Sequence, residues 1–252
     1  MLKTQRLSKI FGGLAAVANL NLEINQGELV GLIGPNGAGK TTVFNLLTGV
    51  YPPTEGEILL DEKSIVGKKP YQITSLGMAR TFQNIRLFVS LSVLDNVKVA
   101  CHWHGKYPLA SALFRLKNYS LGEKEMTAKA LELLKIFNLD TKKDELAKSL
   151  PYGEQRRLEI VRALAAKPTV LLLDEPAAGM NPYETKDLME LITKVQDLFN
   201  LTVLLIEHDM SLVMGICQRI YVLDYGKIIA QGTPDEIKNN PRVIEAYLGE
   251  EA

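Results

Sequence analysis

A chain of 252 residues is long enough to bury a sizeable core as one large domain or a domain with a subdomain. Hydrophobic residues at 46% and charged residues at 23% are an ordinary globular balance. Lys+Arg and Asp+Glu number 29 each, so the formal net charge is zero, which argues against a bulk polyanion partner such as nucleic acid.

The N-terminus, MLKTQRLSKIFGG, lacks the apolar core of a signal peptide. No apolar run approaches the roughly 20 residues needed to span a bilayer. The expectation is a soluble chain that, at a membrane, docks onto subunits that span it. Leu20, Leu22 and Ile24 alternate with polar residues as in a half-buried strand. GELVGLIG, residues 27–34, is a short apolar run ending in glycine and reads as a buried strand. KTTVFNLLTGV reads as a helix, and EGEILLD, 55–61, as another strand after a turn near Pro52. Residues 84–166 read as mostly helical. Ala130, Leu131, Leu134 and Phe137 share one face, as do Leu158, Val161 and Leu164, and Pro168 closes the second helix. The irregular stretch 102–123 reads as a loop with short helical pieces. TVLLLDEP and LTVLLIEHD are buried strands either side of a helix at NPYETKDLMELITKVQDLF, and RIYVLDYGKIIAQG reads as a hairpin turning near Asp224–Lys227. Strands alternating with helices predict an α/β sheet with helices on its faces, interrupted by an inserted helical subdomain. Cys101 and Cys217 fit no CxxC spacing and read as small buried hydrophobes in a reduced, cytosolic chain.

Three strand ends carry chemistry. GPNGAGKTT matches G-x-x-x-x-G-K-[ST] completely, after a buried strand and before a helix. Its residues, Gly34, Pro35, Asn36, Gly37, Ala38, Gly39, Lys40, Thr41 and Thr42, would turn successive N–H groups around a phosphate at a helix N-terminus. Lys40 would reach the β- and γ-phosphates of a nucleoside triphosphate, and the Thr41 hydroxyl would bind Mg²⁺. Asp174 and Glu175 end the strand about 135 residues later, where ligands sit in open α/β sheets. Asp174 would reach Mg²⁺ directly or through water, and Glu175 would orient and deprotonate an attacking water. His208 ends a third buried strand, where an imidazole could bond the γ-phosphate or that water. Gln83, at the border of sheet and helical block, could reach Mg²⁺ or water with a neutral amide. SLPYGEQRRLEIVRAL, from Ser149, has no nucleophile, metal ligand or acid–base pair, and its helix is expected to open near Glu154.

The order GPNGAGKTT, Gln83, LPYGEQ, LLLDEP, AAGMN and His208, spread across essentially the whole chain, resembles the nucleotide-binding subunits of ABC transporters. The resemblance implies a P-loop NTPase (ABC-type) α/β core with an antiparallel β subdomain and an inserted α-helical subdomain. The whole chain, 1–252, would be one nucleotide-binding domain, with about 1–83 and 167–252 as catalytic core and about 84–166 as helical signature subdomain. It implies hydrolysis of ATP with Mg²⁺ by two such domains paired head to tail. In that pairing Leu150, Pro151, Tyr152, Gly153, Glu154 and Gln155 occupy the signature segment, which caps the γ-phosphate held by the other chain. Phe11 takes the place of the aromatic on which adenine stacks, a core phenylalanine being the competing reading. Two departures stand out. Pro151 replaces a serine that would donate a hydroxyl, next to Tyr152 in place of glycine, and Asn181 stands where aspartate is common.

Finer stretches, among them FGGLAAVANLNLEI, RTFQNIRLF, YGEQRRLEIVRAL, IEHDMSLVMGI and GTPDEIKNNPRVIEAYLGE, resemble the ATP-binding subunit of branched-chain amino acid importers. That implies two transmembrane permease subunits, a second ATPase subunit or a second copy, and an extracytoplasmic substrate-binding protein. It also implies a peripheral place at the cytoplasmic face of the membrane. Phe88 to Val97 would grip a permease helix. A lipopolysaccharide-export ATPase and a non-transport ABC protein are the alternatives.

Overall fold

Three runs of five buried residues set the architecture of the computed structural model, which describes residues 2–102 and 117–248: β3 (Leu29–Ile33), β7 (Val170–Asp174) and β8 (Thr202–Ile206). A strand covered on both faces is apolar along nearly its whole length, and these three lie inside a sheet of six, in the order β10-β9-β3-β8-β7-β6. Here β6 is Met78–Arg80, β9 is Arg219–Asp224 and β10 is Lys227–Gly232. All neighbours are parallel except β9 and β10, which form the predicted hairpin. The register places Leu32 beside Ile206 and Ile206 beside Asp174, so the chain leaves β3, β8 and β7 at nearly the same level.

A second, antiparallel sheet orders β2 (Leu14–Ile24), β1 (Leu2–Phe11), β4 (Glu55–Leu60) and β5 (Lys63–Ser64) as β2-β1-β4-β5. Its inner residues Leu7, Leu20, Leu22 and Ile24 join Val30, Leu32 and Leu204 of the larger sheet in one core. Helix α1 (Lys40–Leu47) adds Val43, Phe44 and Leu47 to it. The sequence reading assigned no element to β1. Register shifts between Thr4 and Leu7 and between Leu7 and Lys9 break its period of two, so the pattern does not show a strand. Helix α2 (Pro70–Ser75) precedes β6 in the same unit, Met1–Gln83 with Thr169–Ala252. Its later part carries α6 (Pro182–Phe199), α7 (Met210–Ile216), α8 (Pro234–Lys238) and α9 (Pro241–Leu248).

The other compact unit, Asn84–Pro168, is built on α3 (Val93–Cys101), α4 (Lys117–Ile136) and α5 (Tyr152–Ala165). Ala130, Leu134 and Phe137 are buried there, as are Leu158, Val161 and Leu164, but Leu131 is only half-buried. Asn96 is fully buried and closes the 88–92 loop, donating to the Phe88 and Ser92 carbonyls (3.0 and 2.9 Å) and accepting from the Phe88 N–H (2.9 Å). Two expectations are corrected. Residues 117–123 open the twenty-residue α4 instead of forming a loop with short helical pieces; Ser120 and Gly122 interrupt any apolar stripe, so the pattern hid the long helix. The rest of that irregular stretch, from 103 to 116, lies outside the described residues. Helix α5 opens at Tyr152, two residues before Glu154, and the Arg156 guanidinium donates to the Tyr152 hydroxyl one turn back (2.9 Å). Cys101 and Cys217 are both buried free thiols. Among the described residues no helix is long and apolar enough to cross a membrane.

Candidate nucleotide site

The loop from β3 to α1 needs three glycines for two different reasons. Gly34, Gly37 and Gly39 all have left-handed φ values of 150°, 76° and 105°. A Cβ on Gly34 would also collide with the Leu223 carbonyl, and one on Gly39 with the Ala16 carbonyl, whereas Gly37 faces open space. Tight packing thus holds the base of the loop and leaves its tip, Asn36 and Gly37, exposed. Pro35 is buried. Ala38 fastens the loop to the β9–β10 turn, accepting from the Gly226 N–H (2.8 Å). Gly39 N-caps α1 with no side-chain cap and no acid in the first turn, so the positive end of the helix stays uncompensated. The Lys40 ammonium is 6% exposed and donates to the Gly34 and Pro35 carbonyls (2.6 and 2.8 Å). Thr41 is exposed and Thr42 half-buried.

The segments after β6 and β8 bring two of the sequence-predicted side chains, Gln83 and His208, onto the carboxylate of a third, Glu175, which follows β7. Glu175 Oε1 meets His208 Nε2 at 2.9 Å, and Glu175 Oε2 accepts from Gln83 Nε2 at 2.8 Å. Glu175 sits at φ 47°, a left-handed value unusual outside glycine, with its N–H bonded to the Ile206 carbonyl (2.9 Å). Its side chain is 14% exposed and that of His208 is 45% exposed.

Asp174 is buried, and its Oδ2 accepts from Arg80 Nη2 at 2.6 Å. Arg80 Nη1 reaches Asn45 Oδ1 (2.7 Å) and Thr48 Oγ1 (3.3 Å). Its guanidinium lies over the rings of Phe44 and Phe82, 5.3 and 5.0 Å from their centroids. One arginine therefore ties α1 to β7. Sequence reasoning passed over it; its only signal was a charge ending an apolar strand. Glu207 was also missed. It is buried, and accepts from the Ala177, His208 and Asp209 N–H groups at 2.7, 3.0 and 3.5 Å. Burial pushes its carboxyl up, and these three N–H groups pull it back.

Thr41, Asp174 and Gln83 offer a hydroxyl, a carboxylate and an amide, all hard oxygen donors suited to Mg²⁺. With Oδ2 on Arg80, Asp174 Oδ1 is the oxygen left for a cation. The described residues contain no group of three or more His, Cys, Asp or Glu able to cage a metal.

Phe11 ends β1 with 42% of its surface exposed. Its ring meets Tyr51 edge-on (centroids 5.4 Å apart), and the Lys9 ammonium lies 5.1 Å from its centroid. The ring is outside the core.

Leu150 to Gln155, the segment read as the signature, belong to the helical unit. Leu150 is buried, and its carbonyl accepts from Gln155 Nε2 (2.8 Å). Pro151 is exposed at the N-cap of α5 and supplies no side-chain cap. Gly153 is the second residue of the helix, where an amide has no intrahelical partner. The Glu154 carboxylate pairs with Lys142 (2.6 Å), and Tyr152 is 46% exposed. Asn181 caps α6, its Oδ1 accepting from the Tyr183 and Glu184 N–H groups (both 3.0 Å).

Residues 17–178 match the family model described as ABC transporter, and residues 227–252 match the one described as branched-chain amino acid ATP-binding cassette transporter. The high-affinity branched-chain amino acid transport ATP-binding protein LivG of Escherichia coli (strain K12) is 50% identical over 250 residues, which cover 99% of this chain and 98% of that one. The lipopolysaccharide export system ATP-binding protein LptB of the same strain is 35% identical at the same coverage. The crystal structure of the ADP conformation of MJ1267, an ATP-binding cassette of an ABC transporter, superposes with a TM-score of 0.86 at 31% identity, covering 99% of this chain and 98% of that one. The chain belongs to the ABC transporter family, as one of its ATP-binding cassettes.

Proposed function

We propose that this chain is the ATP-hydrolysing subunit of an importer of branched-chain amino acids. The observation that carries the ATPase reading is the meeting of Gln83 and His208 on the Glu175 carboxylate, at the sheet edge that also holds the phosphate loop. The loop amides, the N-terminus of α1 and Lys40 bind the phosphates, for which Lys40 exchanges its two carbonyl partners. Phe11 stacks on adenine. Glu175 takes the proton of the attacking water, while His208 and Gln83 fix its carboxylate. Thr41, Asp174 and Gln83 would hold Mg²⁺, which when bound neutralises charge on the phosphate oxygens.

Leu150 to Gln155 of one subunit cap the γ-phosphate on the other in a head-to-tail dimer, through the Gly153 amide and the positive end of α5. Pro151 removes one hydroxyl donor from that cap, a loss of roughly 1.5–3 kcal/mol for a charge-assisted bond. A different partner ATPase carrying the serine would restore it at one of the two sites. ATP-driven closure then moves the helical units against two permease subunits, at the cytoplasmic face of the membrane, with an extracytoplasmic binding protein delivering the amino acid. Phe88 and Val89, 49% and 52% exposed, are apolar enough to meet a permease helix.

Identity of 50% to LivG against 35% to LptB favours import over lipopolysaccharide export. The test is purification of the tagged chain from detergent-solubilised membranes, with mass spectrometry of what accompanies it. Two multi-span permeases and a second ATPase are expected. A single ATPase type with exporter permeases would overturn the import reading, and recovery alone from the soluble fraction would overturn the transporter reading.

A further inference from the structure

We infer that Glu207 is a positioning residue whose buried carboxylate holds together the two loops that carry Glu175 and His208. Its Oε1 accepts the Ala177 N–H, two residues beyond Glu175 (2.7 Å). Its Oε2 accepts the His208 N–H itself (3.0 Å) and, more weakly, that of Asp209 (3.5 Å). The side-chain pair above, Glu175 to His208 at 2.9 Å, thus stands on a backbone bridge made by one residue.

Glu175 needs such a bridge. Its left-handed φ of 47° is disfavoured for a residue with a side chain and persists only where the surroundings impose it. The Ile206 carbonyl holds its N–H on the strand side (2.9 Å), and Glu207 holds the chain two residues further on. A carboxylate suits the task because it only accepts, with one oxygen for each loop. A glutamine of the same shape would turn an NH₂ toward one of the two donors, so it can keep one loop or the other but not both. Glu207 is 3% exposed, so it holds the loops from beneath the site.

The inference rests on Glu175 as the group that activates water, and the experiment separates the two. Steady-state ATPase kinetics of the full chain are measured alongside binding of a fluorescent ATP analogue. Glu207→Gln should lower kcat roughly ten- to hundredfold, the effect of losing one hydrogen bond to a charged group. KM and the binding stoichiometry should stay unchanged, which a merely unfolded fraction would not allow. In a His208→Ala background the same substitution should add less than about twofold, because the two residues act through one geometry. An unchanged kcat, or full additivity with His208→Ala, would overturn the inference. Hydrogen exchange on the unmodified protein needs no variant: the Ala177 and His208 amides should be protected, and exchange at open-loop rates would overturn it as well. If Glu175→Gln retained full hydrolysis, the ATPase assignment of Glu175 would fail, while the exchange result would still decide the carboxylate bridge.

Discussion

Replacing Arg80 by methionine should destabilise the nucleotide-free protein by about 3–5 kcal/mol, the usual penalty for stranding one member of a buried ion pair. The side chains of Arg80 and Asp174 are 6% and 3% exposed and meet at 2.6 Å, so solvent does little to screen the carboxylate left behind. Methionine keeps apolar volume between Phe44 and Phe82, so packing contributes little to the loss. In a chain of this size each kcal/mol corresponds to about 2–4 °C, and the midpoint should therefore fall by about 6–20 °C. Thermal unfolding followed by circular dichroism, without nucleotide or metal, measures it. Adding Asp174→Asn to Arg80→Met removes the stranded charge and should recover most of the fall. A drop below about 2 °C, or no recovery in the double variant, would refute the claim that this pair ties α1 to β7.

Phe11→Ala should weaken ATP binding by about 1–3 kcal/mol, as loss of a stacked base does, and leave the melting temperature nearly unchanged because the ring is 42% exposed. Calorimetric titration showing lost stability with intact affinity would make it a structural residue instead. Pro151→Ser should stabilise the protein by about 1 kcal/mol by supplying the N-cap that α5 lacks, read as a shift in the denaturation midpoint. The same variant should strengthen ATP-driven dimerisation, and no change there would undercut the argument for a missing hydroxyl. Burial pushes the Cys217 thiol from its ordinary 9.0 up to about 12. Because the folded-state value is the higher one, the associated stability is complete below pH 9 and declines as pH rises toward 12. Urea midpoints measured across that range should fall less steeply in Cys217→Ala.

The features legible from the sequence are those encoded in consecutive residues. β3, β7 and β8 each write their burial on both faces as an unbroken apolar run, and the phosphate loop is a single contiguous motif whose glycines sit at left-handed φ. Asp174, Glu175 and His208 are visible as polar residues closing such runs. The strand β1 was not legible, because its bulges scramble the alternation. The early start of α5 was not legible either, because proline and glycine read locally as loop; the Arg156–Tyr152 contact accompanies a helix that begins under them.

The sequence by itself determined the buried strands β3, β7 and β8, the helices between them and the chemistry available at their ends. Only the tertiary structure decided how those ends are held. Arg80 finds Asp174 across 94 residues and Asn45 across 35, and Glu207 finds Ala177 across 30. Such partners are chosen by which strands lie side by side, with β8 seated between β3 and β7, and strand order is a property of the packed sheet that no local pattern of residues carries.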